Sequence, residues 1–303
     1  MELKNTKAVL AVDVGGTKLA AALVDEAGRV LAERHAPVIR DDWPATIRQI
    51  EEEAAACLAS AGAAWSGVCS AGIVVPGIAG PDGNVWAPNL WGDRDVPLGP
   101  ALGERLPVPV VLDSDRSGYV LGEQWLGAAR GCRDAVFVAV GTGIGVGILA
   151  GGRVMRGHAG IAGAAGWMAL TTDVRAEYSQ YGCWEWEAAG PALARKSGLP
   201  TAEDAVAAAR RGDPSAVEAV RDVGRWLGLG VANLISLLNP EVVILGGGLM
   251  AAGDLFLDPI RQTVLQAAQP RAARMGRIVL SQLGSRAGLL GAARLALHRD
   301  IVL

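Results

Sequence analysis

The opening of the chain alternates short apolar runs with turn-forming residues. Residues 8–14 (AVLAVDV) form a β-rich run, the turn 15–18 (GGTK) follows, and a second apolar run covers residues 19–24. Another turn, residues 25–28 (DEAG), separates this run from a third that begins at Arg29. Apolar runs joined by short glycine-containing turns are typical of consecutive antiparallel strands. The pattern therefore predicts a three-strand meander.

The same order of runs and turns recurs in the middle of the chain. A strand-like run at 135–140 (AVFVAV) precedes a glycine-rich turn at 141–145, a second run at 146–149 and the segment 151–154 (GGRV). Aligning VLAVDVGGTKLAAALVDEAGRV with VFVAVGTGIGVGILAGGRV matches strand, Gly-Thr turn, strand, turn and the final GRV. Such self-similarity indicates an internal duplication and two related α/β domains.

The remaining periodicity predicts further helices and strands. A Glu- and Ala-rich helix is expected at 43–61, strands at 68–75, 107–112 and 242–245, and a last helix at about 287–298. A long amphipathic helix is indicated by apolar residues at helical spacing, namely Val220, Val223, Leu227, Val231, Leu234 and Leu238. Pro76 and Pro240 mark the ends of a strand and of this helix.

Composition narrows the classes of function. The 303 residues are 51% hydrophobic, with 28 Lys+Arg against 31 Asp+Glu, so the chain can bury a core and carries no basic excess for a nucleic acid. Glycine (41) and tryptophan (9) are abundant. The four cysteines form no CxxC pair, which favours a reducing cytoplasm. Two uncharged stretches, 54–81 and 135–152, are broken by proline or glycine, so no membrane partner is expected.

The two Gly-Thr turns are the first candidates for chemistry. Backbone N–H groups in a glycine turn can surround phosphate oxygens, and threonine adds a hydroxyl donor. Asp13 precedes the first turn, where a carboxylate can hold Mg²⁺ directly or through water, and Lys18 can neutralise phosphate charge. A single glycine turn joins two strands about as often as it binds a ligand. Two matching turns favour phosphate binding, although neither is a Walker A loop.

Six motifs share their order and spacing with one known family. They are Asp13-Val14-Gly15-Gly16-Thr17-Lys18, Ala87-Pro88-Asn89-Leu90, Leu121-Gly122-Glu123, Gly141-Thr142-Gly143-Ile144-Gly145, Ala162-Gly163 and Leu245-Gly246-Gly247-Gly248. Over nearly its whole length the chain resembles the ROK family of sugar kinases and repressors. The resemblance implies an α/β fold of two RNase H-like, actin-like ATPase domains around an interdomain cleft that binds ATP and sugar.

The resemblance also implies domain bounds, cofactors and contacts. We expect an N-terminal domain at 1–115, a C-terminal domain at 116–286, and a final helix, about 287–303, that packs back on the N-terminal domain. ATP and Mg²⁺ are the implied cofactors, and a homodimer is the implied assembly. Phosphate contacts fall on Asp13, Gly15, Gly16, Thr17, Lys18, Gly141, Thr142 and Gly143. Adenosine contacts fall on Gly247 and Gly248, whose alternative role is an ordinary turn after a strand.

A catalytic carboxylate is implied near residue 115. The family places its catalytic Asp in an Asn-Asp pair eight residues before a Gly-Glu pair, and counting back from Glu123 gives Asp115, with Ser114 in place of the Asn. A carboxylate here can accept the proton of the sugar hydroxyl while the oxygen attacks the γ-phosphoryl group. Asp115 could instead cap the following helix, and Asp113 competes by residue type. The spacing favours Asp115.

The zinc motif of the family is missing. Where the family reads Glu-x-Gly-His, this chain reads Ala164-Ala165-Gly166-Trp167, and Ala176 and Tyr178 stand at two later Cys positions, so that Cys183 alone remains of four ligands. One ligand cannot form a tetrahedral site, and no zinc is expected. Cys183 is expected to be a small buried hydrophobe. Two buried aromatic side chains are expected to organise the loop instead, from Trp167, Tyr178, Tyr181, Trp184 and Trp186.

The sugar contacts are altered as well. The resemblance assigns them to Asn89, Ser114, Asp115, Trp167 and Glu185, and Trp86 and Trp91 flank Asn89 in the sequence. The replacements remove polar groups around C1 and C2 of the sugar and add apolar surface, which suits sugar C–H faces better than free hydroxyls. We therefore expect unmodified glucose to be a weak substrate, and a 1- or 2-modified hexose or a cyclitol to be preferred.

The sequence thus predicts an ATP-dependent kinase that phosphorylates a hydroxyl, by resemblance the 6-OH, of a hexose, hexosamine or related sugar or cyclitol. A catalytically weak sugar-binding sensor of the same fold is the alternative, and the retained phosphate-binding residues argue against it. A transcriptional repressor is a further alternative. It requires a DNA-binding helical module before the first phosphate strand, and about seven residues precede that strand.

Overall fold

The computed structural model describes residues 7–298. Its strands are β1 (Ala8–Val14), β2 (Lys18–Asp25), β3 (Val30–Pro37), β4 (Val68–Val75), β5 (Ile78–Ala79), β6 (Val85–Trp86), β7 (Asp95–Val96), β8 (Val110–Ser114), β9 (Ala135–Val140), β10 (Ile144–Ala150), β11 (Arg153–Val154), β12 (Val242–Gly246) and β13 (Arg277–Leu280). Its helices are α1 (Trp43–Ser60), α2 (Pro88–Trp91), α3 (Leu98–Arg105), α4 (Asp115–Leu126), α5 (Ala176–Tyr181), α6 (Cys183–Ala188), α7 (Gly190–Ser197), α8 (Ala202–Arg210), α9 (Pro214–Leu238), α10 (Gly253–Ala267), α11 (Pro270–Met275) and α12 (Ala287–Leu297). No helix within residues 7–298 has the length and apolarity needed to cross a membrane.

The chain forms two compact units. Among the described residues, the first unit comprises 7–130, 153–161 and 285–298, and the second comprises 131–152 and 162–284. The sequence placed the boundary after residue 115, whereas helix α4 belongs to the first unit, because it packs against α12, β4 and β8. Helix α12 also packs on β1 and β4, as expected of the last helix, while residues 299–303 lie outside the described residues.

The two main sheets have the same strand order. The first runs β3-β2-β1-β4-β8, and the second runs β11-β10-β9-β12-β13. In each sheet the first long strand pairs antiparallel with the next strand in sequence, β1 with β2 and β9 with β10. In each it also pairs parallel with a later strand, β1 with β4 and β9 with β12. The internal duplication that the sequence indicates is therefore confirmed at the level of topology.

Most of the predicted elements are confirmed, with two shifts in their bounds. The strand expected at 107–112 begins at Val110, since Pro107 and Pro109 have no N–H group to offer a neighbouring strand. The amphipathic helix begins at Pro214, before its apolar stripe, because the Asp213 carboxylate accepts a hydrogen bond from the Ala216 N–H and caps it. Local capping thus extends the helix beyond the periodic residues.

A close crossing of α4 and α12 shapes the first unit. A Cβ atom added at Gly291 of α12 would overlap the backbone oxygen of Gly118 on α4, and one added at Gly122 would overlap the backbone oxygen of Ala287. The two helices therefore touch through their backbones, which only glycine permits. Next to the crossing, a Cβ atom at Gly288 would overlap the carboxylate of Asp13 on β1. The crossing brings the first turn of α4 close to the end of β1.

We expect Gly291→Ala to lower the free energy of unfolding by about 3 kcal/mol or more, because the added methyl group meets backbone atoms that cannot rotate away. Gly103→Ala in α3 is the matched control in the same unit. A Cβ atom at Gly103 meets nothing within 4 Å, so the substitution should raise stability by about 0.5 to 1 kcal/mol. Urea unfolding of both variants measures the difference, and equal effects would contradict the crossing.

Candidate active site

The first Gly-Thr turn presents its backbone at the surface of the first unit. The Gly15 N–H donates to the Lys18 carbonyl oxygen at 2.7 Å and closes the turn, and the Val38 N–H donates to the Thr17 carbonyl oxygen at 3.1 Å. Gly16, Thr17 and Lys18 are exposed, and a Cβ atom at Gly16 would enter open space. The turn is therefore fixed at its base and open at its tip, as a phosphate-binding turn must be.

Asp115 occupies the first turn of α4. Its Oδ1 accepts hydrogen bonds from the Arg116 N–H at 2.7 Å and from the Ser114 hydroxyl at 3.2 Å, and its Oδ2 accepts one from the Tyr119 hydroxyl at 3.3 Å. The residue in the N-cap position is Ser114, whose side chain makes no capping bond. Asp115 therefore does not cap α4 in the ordinary way, and its carboxylate is held in place by neighbours on one side of the helix.

The pKa values of Asp13 and Asp115 are both raised, and the charge of Asp115 acts on Asp13. Burial raises the pKa of Asp13 to about 7, and the negative charge of Asp115 adds to the shift. Burial also raises the pKa of Asp115, against the opposing effects of the Arg116 charge and the hydrogen bonds from Arg116, Ser114 and Tyr119. A buried carboxylate whose ionisation is disfavoured by burial and by a second carboxylate is one that a divalent cation would stabilise in its charged form. The residues present thus fit a magnesium ion at Asp13.

Asp113, the competing candidate, is already paired. Its carboxylate lies 2.8 Å from an Arg156 nitrogen in an ion pair and also accepts the Ser114 N–H at 2.7 Å. The side chain is almost completely buried, at 2% exposure, whereas Asp115 keeps some accessible surface. A base must reach its substrate, so Asp115 is the better candidate of the two.

Two arginines that contact Ser114 and Asp113 were not found by sequence reasoning. Arg116 donates through Nε to the Ser114 hydroxyl at 3.0 Å and through Nη2 to the Gly77 carbonyl oxygen at 3.0 Å, and Arg156 pairs with Asp113. Their partners lie more than thirty positions away in the sequence or have no motif of their own. Tyr119 was missed too, although its place one helical turn after Asp115 is a signal that spacing could have supplied.

The tryptophans around Asn89 do not act as a pair. Asn89 is exposed on α2, and Trp86 is partly exposed with its indole N–H donated to Asp93 at 2.8 Å. Trp91 is buried in the core of the first unit and donates its indole N–H to the Thr46 hydroxyl at 3.1 Å. Of the two tryptophans that flank Asn89 in the sequence, Trp91 therefore belongs to the core, because α2 turns its side chain inward.

In the second unit, Glu185 closes the second Gly-Thr turn. The Gly141 N–H donates to the Gly143 carbonyl oxygen at 2.9 Å, and the Ile144 N–H donates to Glu185 Oε2 at 2.8 Å. Side chains at Gly143 or Gly166 would overlap or crowd the Glu185 carboxylate. Burial raises the pKa of Glu185, and the Ile144 N–H opposes this shift. Within the part of the chain that the structure describes, Glu185 Oε1 has no hydrogen-bond partner.

A cavity of about 920 Å³ lies beside this turn, within the second unit. Gly141, Thr142 and Gly248 line one part of it, and Pro191, Val206 and Leu249 are among the apolar residues of its wall. Gly143 and Gly247 are not among the lining residues. Gly247 has a φ of 88°, a conformation that favours glycine, and a Cβ atom there would crowd Val140. The cavity has the size and apolar character of a small-molecule site.

Few of the aromatic residues in the loop that lacks zinc ligands are buried. Trp184 is fully buried, with its indole N–H donated to the Trp226 carbonyl oxygen at 2.9 Å. Trp167 is 57% exposed, and Tyr181 stacks on Trp186 near the surface. The expectation of two buried aromatics is wrong, since one of the five is buried. Cys183 is buried, as expected.

The remaining ligand positions do not fit zinc. Within residues 7–298 no group of three or more His, Cys, Asp or Glu side chains lies close enough together to hold a metal ion. The five substrate candidates are divided between the units, with Asn89, Ser114 and Asp115 in the first and Trp167 and Glu185 in the second. The structure therefore groups Asp13, Ser114 and Asp115 in one unit, and Gly141 to Gly143 with Glu185 in the other.

The chain is similar to known proteins over nearly its whole length. The family model described as the ROK family matches residues 9–299. A glucokinase of Streptomyces coelicolor is 33% identical over 321 residues, which cover 97% of this chain and 99% of that protein. A ROK family glucokinase from Streptomyces griseus, solved in complex with glucose and AMPPNP, is 32% identical with a TM-score of 0.79, over 96% of this chain and 99% of that one.

A putative xylose repressor of Caldicellulosiruptor sp. is 31% identical, and the match covers 95% of this chain and 77% of the repressor. The relatives therefore include kinases matched over their whole length and a regulator matched over part of its length. The likeness to the solved glucokinase also confirms the predicted fold class, two related α/β domains of the RNase H-like, actin-like ATPase type.

We expect Asp13→Asn to raise the free energy of unfolding in magnesium-free buffer at pH 8. The folded state binds the Asp13 proton more tightly than the unfolded state, so wild type loses stability as the pH rises from about 4 through 7, by up to about 4 kcal/mol. At pH 5 the free energy of unfolding of the variant should exceed that of wild type by less than half of the difference at pH 8. Urea unfolding at both pH values measures it, and an advantage that does not change with pH would contradict the raised pKa.

Proposed function

This chain belongs to the ROK family and is a sugar kinase, and we propose that it transfers the γ-phosphoryl group of ATP to a hydroxyl, the 6-OH, of a hexose, hexosamine or related sugar or cyclitol. The observation that carries the proposal is the pair of carboxylates Asp13 and Asp115, which the first unit holds beside an open Gly-Thr turn. Phosphoryl transfer needs one carboxylate for the metal and one for the proton. A cytoplasmic homodimer is part of the same proposal and stays a prediction from the sequence.

Asp115 is the proposed general base. Its Oδ2 accepts a hydrogen bond from the Tyr119 hydroxyl and can receive the proton of the acceptor hydroxyl as that oxygen attacks phosphorus. The Tyr119 and Ser114 hydroxyls and the Arg116 N–H fix the direction of the carboxylate. Such fixation supports catalysis because it holds the base within reach of one hydroxyl of the bound sugar.

The phosphate groups would be held by backbone and cation together. Asp13 is the proposed ligand of Mg²⁺, directly or through water, and a bound Mg²⁺ supplies charge neutralisation for the transferred phosphoryl group. Gly16 and Thr17 offer N–H groups from the first turn, which the Gly15 N–H closes at its base, and Lys18 offers a positive charge. Gly141, Thr142 and Gly143 are the proposed counterpart in the second unit, with Thr142 exposed at the cavity.

A nucleotide is the phosphoryl donor that the cavity of the second unit supports best. Its wall is largely apolar, and Arg210 is the one cationic side chain among its lining residues, close to Asp254 at 3.1 Å. An inorganic polyanion would need several cationic groups, whereas a base and ribose can bury against proline, valine and leucine. The solved relative from Streptomyces griseus contains AMPPNP, which is consistent with this proposal. Gly248 is the proposed adenosine contact, and Gly247 shapes the turn before it.

The acceptor is proposed to be a sugar with a modified C1 or C2, or a cyclitol. Asn89, Ser114 and Glu185 are the proposed polar contacts, and Trp167 offers an exposed indole face where a smaller polar residue would offer a donor. Glu185 Oε1, which has no partner among the described residues, is available to accept a hydroxyl. A site with fewer donors loses little when a hydroxyl is replaced or substituted.

We expect Asp115→Asn to lower kcat by about 10² to 10⁴-fold, because the amide cannot accept the proton. Asp113→Asn is the matched control, two residues away. It should keep kcat within about tenfold and instead lower stability by about 1 to 3 kcal/mol, because Arg156 loses its buried partner. Coupled ADP release and urea unfolding measure the two quantities. A loss of kcat confined to the Asp113 variant would reassign the base.

We expect a panel of hexoses, hexosamines, 1- and 2-substituted hexoses and cyclitols to show a kcat/KM for glucose at least about tenfold below that of the best acceptor. Trp167→His should narrow this gap, because imidazole restores a donor and acceptor at this position. ADP release with saturating MgATP measures the rates, and product analysis identifies the phosphorylated hydroxyl. Glucose as the best acceptor would contradict the proposed preference.

A further inference from the structure

A buried carboxylate, Glu187, gathers charged and polar groups in the second unit. Its Oε2 lies 2.8 Å from Lys196 Nζ, and its Oε1 accepts the Tyr178 hydroxyl at 2.8 Å and an Arg175 nitrogen at 3.2 Å. Lys196 is shared with Asp222 at 2.5 Å. Glu187 is 3% exposed, and these five residues form what we call the Glu187 hub.

The hub joins several consecutive elements. Tyr178 lies on α5, Glu187 on α6, Lys196 on α7 and Asp222 on α9, while Arg175 precedes α5. Burial disfavours the charge of Glu187, but the hydrogen bonds from Lys196 and Tyr178 and the charges of Lys196 and Arg175 outweigh it and lower its pKa. With two cations and two carboxylates, the hub is balanced in charge. It is therefore a closed network rather than a site that awaits an ion.

Helix α6 also carries Glu185, two positions before Glu187. Residues two apart on a helix point to opposite sides, so Glu187 faces the hub while Glu185 faces the second Gly-Thr turn and the Ile144 N–H. A helix of six residues is not stable by itself, and its orientation depends on contacts such as these. Trp184 on the same helix packs so closely on α9 that a Cβ atom at Gly230 would overlap its ring.

The Glu187 hub includes part of the segment in which the sequence lacks the zinc ligands of the family. Tyr178 occupies one of the missing ligand positions, and its hydroxyl is bound to Glu187. The other positions hold Ala176, Trp167 and Cys183, and the Cys183 sulfur accepts the Leu170 N–H at 3.5 Å. The residues of this loop therefore do not fit zinc, and a protein-only network ties together the helices that the loop connects.

We propose that Glu187 is a positioning residue, and that the Glu187 hub holds α6 so that Glu185 is aimed at the acceptor, in place of a bound metal ion. The inference rests on the proposed function, because it takes Glu185 as an acceptor contact. Lys196 and Tyr178 act through Glu187, and Glu187 acts through Glu185. None of the hub residues needs to touch the sugar.

A double-mutant cycle tests the proposal, with MgATP and the best acceptor of the panel. Glu185→Gln should raise KM for the acceptor about tenfold, through loss of a charge-assisted contact. Glu187→Gln should raise the same KM by a similar factor while KM for ATP changes less than about threefold, and the double variant should resemble Glu185→Gln alone. Glu187→Asp should recover part of the effect.

One control variant and one substitute variant accompany the cycle. Glu177→Gln changes an exposed carboxylate of α5 that is outside the hub, and it should leave both KM values unchanged. If Glu187→Gln does not fold, Tyr178→Phe removes a single hydrogen bond of the hub and should raise KM for the acceptor about threefold.

Three outcomes would overturn the inference. These are additive effects in the double variant, a Glu187→Gln effect confined to kcat or to KM for ATP, and one zinc ion per chain in elemental analysis of protein purified without chelators or a histidine tag. If Glu185→Gln itself leaves KM for the acceptor unchanged while Asp115→Asn abolishes turnover, the acceptor role of Glu185 fails and the kinase proposal stands.

Discussion

The site in the first unit depends on the distance between two helices. Because Gly118 and Gly122 on α4 meet α12 at Ala287 and Gly291, the backbones approach more closely than any larger side chains would allow. The same approach lets Gly288 lie against the Asp13 carboxylate. The proposed base, Asp115, and the proposed magnesium ligand, Asp13, thus owe their proximity to a contact between helices more than 150 positions apart in sequence, and both helices pack on the same sheet.

The second unit repeats the topology but not the chemistry. In the first unit a carboxylate, Asp13, is the penultimate residue of the strand before the Gly-Thr turn, whereas the penultimate residue of β9 is Ala139, and the carboxylate comes instead from helix α6 as Glu185. Glu185 hydrogen-bonds the turn itself, while Asp13 leaves its own turn free. The two units therefore have similar turns, but the carboxylate near each turn comes from a different kind of element.

Local pattern predicted the elements well and their packing less well. The strands at 68–75 and 135–140 are set by neighbouring residues alone, so the sequence marks their bounds. The position of α4 depends on its packing against α12, and no local sequence pattern predicts this contact. Sequence alone does not distinguish the buried Trp91 and Trp184 from the exposed Trp167, because the direction of each helix decides which indole enters a core. Of the site, the motifs gave Asp13 and Asp115, whereas Arg116, Arg156 and Glu187 depend on partners that only folding brings together.

The crossing of α4 and α12 also limits how this chain can change. Most buried contacts join two side chains, and a larger residue on one side can be accommodated by a smaller one on the other. At Gly291 the atom in the way is the Gly118 carbonyl oxygen, and Gly118 already has the smallest side chain there is. No second substitution at the partner position can therefore restore a variant of Gly291, so this pair lacks the compensating route by which most core positions drift.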